Sequence, residues 1–221
     1  MELSIQILMN ERLFLRDPEA TELGRRILQH GLAMMQELGL EDMTFKKLAT
    51  RIGTTEASIY RYFENKHRLL AYFAMWHWSW LEYQVVFHTQ NVDDPKRKLE
   101  LVITLLTAGL DDGMKETKFD KKTLESVLMR EGLKVFFTGQ VKEDQQKQIF
   151  KPYEDFVARL ANFIKDYCPT YNHPHALANT VVEVANRQPF FAKNIPALTN
   201  GKEMNTFLTQ ILFGVLDTFE K

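Results

Sequence analysis

From Asp17 onward the apolar residues of this chain recur at three- and four-residue intervals, the period of one face of an α-helix, and no strand-rich region interrupts them. Asp17-Pro18 reads as an N-cap followed by Pro at the first helical position. That predicts a helix carrying Leu23, Ile27, Gly31, Met34 and Leu38 on one face and stopped by Gly39. Thr44 caps a short helix with Phe45, Leu48, Ala49 and Ile52 inward, and Gly53 ends it, because the residue past a helix end commonly needs positive φ. Thr55 caps the next, with Ile59, Tyr62 and Phe63 sharing a face. Asn65 opens a long helix to about Gln90, and Asp94-Pro95 opens another over 95–111. Further helices are predicted over 121–137, over 142–167 with a kink or split at Pro152, from His173-Pro174 to Arg187, and from Asn200 to Phe219. Before Asp17, Leu3, Ile5 and Ile7 alternate with Ser4 and Gln6, and Leu13 and Leu15 with Phe14 and Arg16. Two short extended pieces about Asn10 fit that alternation, and an irregular arm fits it equally. The fold class is all-α.

The stretch Thr44 to Leu70 is the most informative. Two short helices joined at Gly53 make a helix-turn-helix plan, the second helix turning Ile59, Tyr62 and Phe63 inward and Ala57, Ser58, Tyr60 and Arg61 outward. Ala49 stands where the helices must cross closely. Lys66 falls in the first turn of the long helix, a poor place for a cation beside the positive end of a helix dipole unless a phosphate lies there as well. The whole chain has a net charge of −1, yet Thr44 to Arg68 holds six cations (Lys46, Lys47, Arg51, Arg61, Lys66 and Arg68) against Glu56 and Glu64. Taken singly, Tyr60 and Tyr62 fit ordinary packing and Arg61 a solvated charge; taken as an ordered set they fit contact with a polyanion.

In Thr44, Leu48-Ala49, Gly53-Thr54-Thr55, Ile59-Tyr60-Arg61-Tyr62-Phe63, Lys66 and Leu69-Leu70 the chain resembles the DNA-binding region of the TetR family of transcriptional regulators. The resemblance implies that Thr44, Tyr60 and Lys66 hold phosphates and that the start of the second helix reads bases; the candidate DNA-binding set also holds Thr55, and specificity is expected from Glu56, Ala57, Ser58 and Arg61. Glu56 departs from the small or basic residue common there and suits a cytosine contact. The resemblance further implies an arm (1–16), a helix-turn-helix domain (17–64) and a helical ligand-binding and dimerisation domain (65–221). The expected function is ligand-responsive DNA-binding regulation, as a homodimeric repressor released from a palindromic double-stranded operator by a small apolar effector. The alternative is a helical small-molecule or protein-interaction module that no longer reads DNA.

Two helices of the remainder carry candidate sites. Tyr72, Trp76, Trp80, Tyr83 and Phe87 lie on one stripe of the long helix, with His77 beside it. Trp76, His77, Trp80, Tyr83 and Phe87 are the candidate ligand pocket, and plain core is the competing reading. The last helix aligns Phe207, Ile211 and Val215 next to Leu208, Leu212 and Leu216, and Gly214 permits close approach, so the first three are the candidate dimer face. Composition excludes little else: 221 residues with 45% hydrophobic and 26% charged residues are ordinary for a globular chain. The single cysteine, Cys168, forbids an intramolecular disulfide. His77 and His88 lack an acidic or cysteine companion at ligand spacing, so no metal is expected, nor any cofactor. No phosphate-binding loop, zinc-protease helix or nucleophile elbow occurs, and an enzyme is not expected. No apolar run approaches the ~20 residues of a membrane span, and no secretory signal is visible, so the cytoplasm is the expected compartment.

Overall fold

The computed structural model describes residues 7–108, 119–199 and 203–219. The first predicted extended piece, the end of the helix predicted to 111, and Asn200 lie outside these residues, apart from Ile7 and the stretch up to Ala108. Among the described residues the regular structure is helical throughout. The helices are α1 (Glu22–Asp42), α2 (Phe45–Ile52), α3 (Glu56–Tyr60), α4 (Lys66–Thr89), α5 (Pro95–Thr107), α6 (Lys121–Glu131), α7 (Val141–Gln146), α8 (Lys151–Tyr167), α9 (Pro174–Asn194) and α10 (Met204–Leu216). The described residues fall into two compact units, one within Met1–Trp78 and Lys115–Lys151, the other within Ser79–Met114 and Pro152–Lys221. The first unit therefore takes in α6 and α7 as well as the helices that precede α4. A division at residue 64 is a functional one and stays a proposal.

In the first unit, α1 begins at Glu22 and not at Pro18. Thr21 is its cap, accepting from the Gly24 N–H at 3.0 Å, while Asp17 instead closes a turn by accepting from the Glu19 N–H at 2.8 Å. That turn folds back on the helix: a Cβ on Gly24 would lie 2.2 Å from the Pro18 carbonyl oxygen. Gly39, at φ 78°, breaks the helical geometry as expected, and a further turn carries the chain to Asp42. The buried face is Ile27, Leu28, Gly31, Leu32, Met34 and Met35; Leu38, placed inside by its spacing, is 42% exposed. Ahead of the second predicted extended piece stands a 3-10 turn, Glu11–Leu13, capped by Asn10, with Leu13 buried; Phe14 after it is extended, in the manner of the irregular arm that the alternation also fits. Asn10 also donates to the carbonyls of Lys147 and Gln148 at 3.1 and 3.0 Å.

α6 packs along α1 and holds its C-terminal end. The Arg130 guanidinium donates to the Met35 and Gln36 carbonyls at 2.8 and 3.0 Å, and Glu131 accepts from the buried Leu40 N–H at 3.2 Å. The helix predicted over 121–137 ends at Glu131 and continues as a 3-10 turn, Gly132–Val135. The helix predicted over 142–167 is two helices, separated at Gln148, whose φ is 55°. Pro152 lies in the first turn of α8, where its missing N–H leaves no helical bond unmade. Tyr72, Phe73, Trp76 and Phe119 form an edge-to-face aromatic core, with centroids 6.2 Å apart for Tyr72–Phe73, 5.3 Å for Phe73–Phe119 and 4.9 Å for Trp76–Phe119.

In the second unit, Asp94 caps α5 by accepting from the Lys96 N–H at 3.0 Å, and Pro95 stands at its start as expected. Leu99, Val102 and Ile103 of α5, Phe156, Leu160 and Ile164 of α8, Val181 and Val182 of α9, and Leu208, Leu212 and Leu216 of α10 are all buried. α5, α9 and α10 pack on one another. Asn205 bridges α10 to α5, its amide lying 3.3 and 3.2 Å from the Thr104 and Thr107 hydroxyls. α9 runs on past Arg187 to Asn194 and carries Pro189 within it, at an exposed position.

Candidate nucleic-acid interface

Three caps shape the helix-turn-helix. The Thr44 hydroxyl accepts from the Lys47 N–H at 3.2 Å, the Thr55 hydroxyl from Ser58 N–H at 3.2 Å, and the Asn65 side chain from Arg68 N–H at 2.9 Å, each meeting a donor that a helix start leaves orphaned. Between α2 and α3, Gly53 is left-handed (φ 64°, ψ 47°), and the Thr54 N–H returns to the Ala49 carbonyl at 2.9 Å. Ala49 is buried, in keeping with a close crossing of α2 and α3. The Arg26 guanidinium donates to the Ile52 carbonyl and so closes the C-terminal end of α2.

α3 is five residues long and divides cleanly. Ile59 and, just beyond the helix, Tyr62 and Phe63 are buried; Ala57, Tyr60 and Arg61 are exposed, with Glu56 and Ser58 half-buried. Tyr62 is anchored through its hydroxyl, 2.8 Å from the Thr21 hydroxyl, and its carbonyl accepts from the Leu15 N–H at 2.8 Å. Tyr60, 47% exposed, rests edge-on against Phe45 at 5.1 Å, so its ring is held at the surface. The Thr55 and Ser58 hydroxyls lie 2.8 Å apart.

The charge of this stretch is less available than the sequence suggests. Arg51 forms a two-point pair with Glu37 at 2.6 and 2.8 Å, which holds the Glu37 carboxyl below its usual range and raises Arg51. Arg68 is buried, 2.6 Å from Asp144 and 3.6 Å from Glu64. Lys46 and Arg61 are exposed, while among the described residues Lys47 and Lys66 donate to backbone carbonyls, of Asp42 at 2.8 Å and Glu41 at 2.7 Å. These four cations of the stretch form no ion pair among the described residues.

The other sequence-derived candidates are dispersed. Trp76 is buried core of the first unit, and His77, also of that unit, lies 5.4 Å from the Trp78 ring with its pKa pushed down to about 4, first by burial and then by the Lys121 charge. Trp80, Tyr83 and Phe87 belong to the second unit and stack in series, 5.7 and 6.1 Å between centroids. They do not form the inward stripe that their spacing predicts: Trp80 and Tyr83 are half-buried and Phe87 is 45% exposed. Residues that the spacing did not single out stand nearby in the chain. Buried Glu82 Oε2 and His88 Nε2 have no hydrogen-bond partner among the described residues, although Glu82 Oε1 accepts from Arg159 Nε at 2.5 Å. On α10, Leu208, Leu212, Phe213 and Leu216 are buried, whereas Phe207 is 43% exposed and Ile211 and Val215 are half-buried. Among the described residues no group of three or more His, Cys, Asp or Glu is placed to hold a metal, and no helix is long and apolar enough to cross a membrane.

Residues 27–73 match the family model described as bacterial regulatory proteins, tetR family. Comparison with curated protein sequences gives no match. Solved structures of similar fold include the fatty acid degradation regulator FadR from Bacillus halodurans, at 15% identity and a TM-score of 0.60, covering 86% of this chain and 97% of that one. AibR, solved with isovaleryl coenzyme A and operator DNA, matches at 18% identity and a TM-score of 0.57, covering 86% and 98%. A TetR-family regulator from Syntrophomonas wolfei matches at 10% identity and a TM-score of 0.65, covering 89% and 97%. The matched segment holds all three caps, the left-handed Gly53 turn and the outward face of α3, so residues 27–73 are similar to the DNA-binding region of bacterial regulatory proteins of the tetR family, and the chain shares the fold of the solved regulators named above.

Proposed function

We propose that α3 reads operator DNA through Thr55, Glu56, Ala57, Ser58 and Arg61 while Thr44, Tyr60 and Lys66 fix it to phosphates, within a functional domain spanning 17–64. The observation that carries this reading is the division of α3 and the turn after it, where every residue the fold needs is buried and Ala57, Tyr60 and Arg61 are left outward. Lys66 supports it as well, since it donates to the Glu41 carbonyl and forms no ion pair among the described residues, so that it can exchange this acceptor for a phosphate. The test is fluorescence anisotropy on a duplex selected from genomic fragments. Lys66→Ala should weaken binding to all sequences and flatten the salt dependence by about one unit of slope. Arg61→Ala should relax preference at particular base pairs by about 1–3 kcal/mol. Unchanged affinity in both variants would overturn these roles.

The protein acts as a cytoplasmic homodimeric repressor, without catalytic activity, that leaves a palindromic operator when a small, mostly apolar effector occupies the second unit. Support for dimerisation is the outward apolar face of α10 at Phe207, Ile211 and Val215. Support for the effector is the accessible Trp80–Tyr83–Phe87 stack, with the unmet polar atoms of Glu82 and His88 on the same helix able to orient one polar group. The alternative of an interaction module that no longer reads DNA has no comparable support, because a scaffold has no need of an outward Arg61 or a carbonyl-tethered Lys66.

A further inference from the structure

Within the first unit, Glu41 is an acidic side chain beside a lysine that is to meet phosphates. The Lys66 ammonium lies 2.7 Å from the Glu41 carbonyl and its charge acts on the Glu41 carboxyl, yet the two side chains form no ion pair among the described residues. The carboxylate is instead taken by Lys134, of the 3-10 turn that follows α6, at 2.8 Å. Lys134 also lies 2.9 Å from Glu131 Oε2, while the other oxygen of Glu131 accepts from the buried Leu40 N–H at 3.2 Å. Glu131, buried at the end of α6, thus fixes the backbone one residue before Glu41 and at the same time anchors the lysine that pairs with it. The pairing with Lys134 holds the Glu41 carboxyl below its usual range, first through the hydrogen bond and then through the lysine's charge, with smaller contributions from Lys66 and His67.

What Glu41 does to Lys66 depends on which of its acceptors the ammonium meets. A carbonyl is a neutral acceptor that leaves the ammonium its charge and its remaining N–H groups for a phosphate, whereas a carboxylate forms a charge-assisted bond and cancels that charge. Both acceptors belong to Glu41, so a carboxylate released from Lys134 hangs beside the carbonyl that Lys66 already touches. We propose that Lys134 is a positioning residue for DNA binding: by pairing with the exposed Glu41 carboxylate it keeps Lys66 out of an ion pair and keeps an uncompensated negative charge from the phosphate that Lys66 meets. This role rests on the phosphate contact of Lys66 proposed above. Lys134 itself touches no phosphate and acts through Glu41.

Fluorescence anisotropy at low salt, on the selected duplex and on a mixed-sequence duplex, tests this with Lys134→Met, which removes the charge and keeps the stem, and with Glu41→Gln. Lys134→Met should weaken binding about three- to fivefold, the upper range for exposed ion pairs, and equally on both duplexes because a phosphate contact carries no sequence information. Lys134→Arg should bind as the unmutated protein does. Adding Glu41→Gln to Lys134→Met should restore affinity to within about 1.5-fold of the unmutated protein, and Lys134→Met should cost nothing further once Lys66→Ala is present. A lysine that meets DNA directly, or one that only supports the fold, is not rescued by Glu41→Gln. A loss that persists in the double variant therefore overturns the proposal, as does unchanged affinity in Lys134→Met. Lys66→Ala separates the two ways of failing: if it weakens binding while Lys134→Met does not, the role of Lys134 alone falls, and if it leaves affinity intact the phosphate contact of Lys66 falls and takes the role of Lys134 with it.

Discussion

At the scale of single residues, position relative to charge and solvent decides what each side chain can do, and His77 is the clearest case. Burial and the nearby Lys121 charge push its pKa from 6.5 to about 4, so it is neutral in the folded chain at pH 7. A histidine with a depressed folded pKa contributes its full stability above the unfolded value, and that contribution is lost as pH falls from 6.5 toward 4, because the unfolded state takes up the proton first. Between pH 7 and pH 5 the loss is about 2 kcal/mol, from roughly 1.5 units of pH below the unfolded pKa. Urea unfolding of the unmutated protein and of His77→Gln at the two pH values measures it: the variant should lose about 2 kcal/mol less on acidification. Equal losses would place His77 outside the titrating set. The basic residues teach the complementary lesson. The sequence displays six cations between Thr44 and Arg68, but it cannot show that Glu37 and Asp144, far away in the chain, neutralise Arg51 and Arg68. Which cations are neutralised is a tertiary property, and of the six Lys46, Lys47, Arg61 and Lys66 form no ion pair among the described residues.

At the scale of elements, local chemistry marks most helix ends well. Thr44, Gly53, Thr55, Asn65 and Asp94 act where their side chains or backbone freedom say they should, because a cap needs only the next three residues. α1 shows the limit of that local evidence. Asp17-Pro18 and Thr21 are both acceptable starts, and the choice falls to Thr21 because the Pro18 turn packs on the helix's own first turn at Gly24. Gly24→Ala tests that account. Alanine is the better helix former by about 1 kcal/mol, yet its Cβ would stand 2.2 Å from a backbone oxygen that cannot rotate away. Thermal unfolding should therefore show the variant destabilised, by about 1–3 kcal/mol net of propensity. A stabilised variant would mean that the 17–21 turn yields freely. A split was expected at Pro152, but its place at Gln148 was not legible for a related reason: Gln148 takes φ 55° without being Gly, and its carbonyl is held by Asn10, which no local pattern connects to it. The aromatic spacing on α4 misled for another. The first compact unit ends on α4 at Trp78, and beyond it the same stripe passes from buried Trp76 to exposed Phe87.

At the scale of the whole molecule, regulation requires that an effector bind the DNA-incompetent state more tightly than the competent one, and that the protein be a dimer able to span two half-sites. Each requirement has a variant that isolates it. Ile211→Glu places a charge on the outward face of α10 while Leu208, Leu212 and Leu216 keep their burial, so sedimentation at micromolar concentration should show a shift toward monomer with helicity retained. A stable monomer in the unmutated chain would instead exclude that face. For the effector, α4 contributes residues to both units, carrying Lys66 in its first turn and the Trp80–Tyr83–Phe87 stack in its later ones. Tyr83 is the middle ring of that stack and half-buried, so Tyr83→Ala removes contact on both sides with little loss of core. If the stack receives the effector, Tyr83→Ala dimers should bind operator as the unmutated protein does, yet need at least about tenfold more effector for release, a loss of roughly 1.4 kcal/mol in differential binding. Anisotropy titrations of an operator duplex at several effector concentrations read both quantities in one experiment. Normal release from the Tyr83→Ala dimer would return the stack to the role of packing and move the search to Glu82 Oε2 and His88 Nε2, buried on the same helix with no hydrogen-bond partner among the described residues.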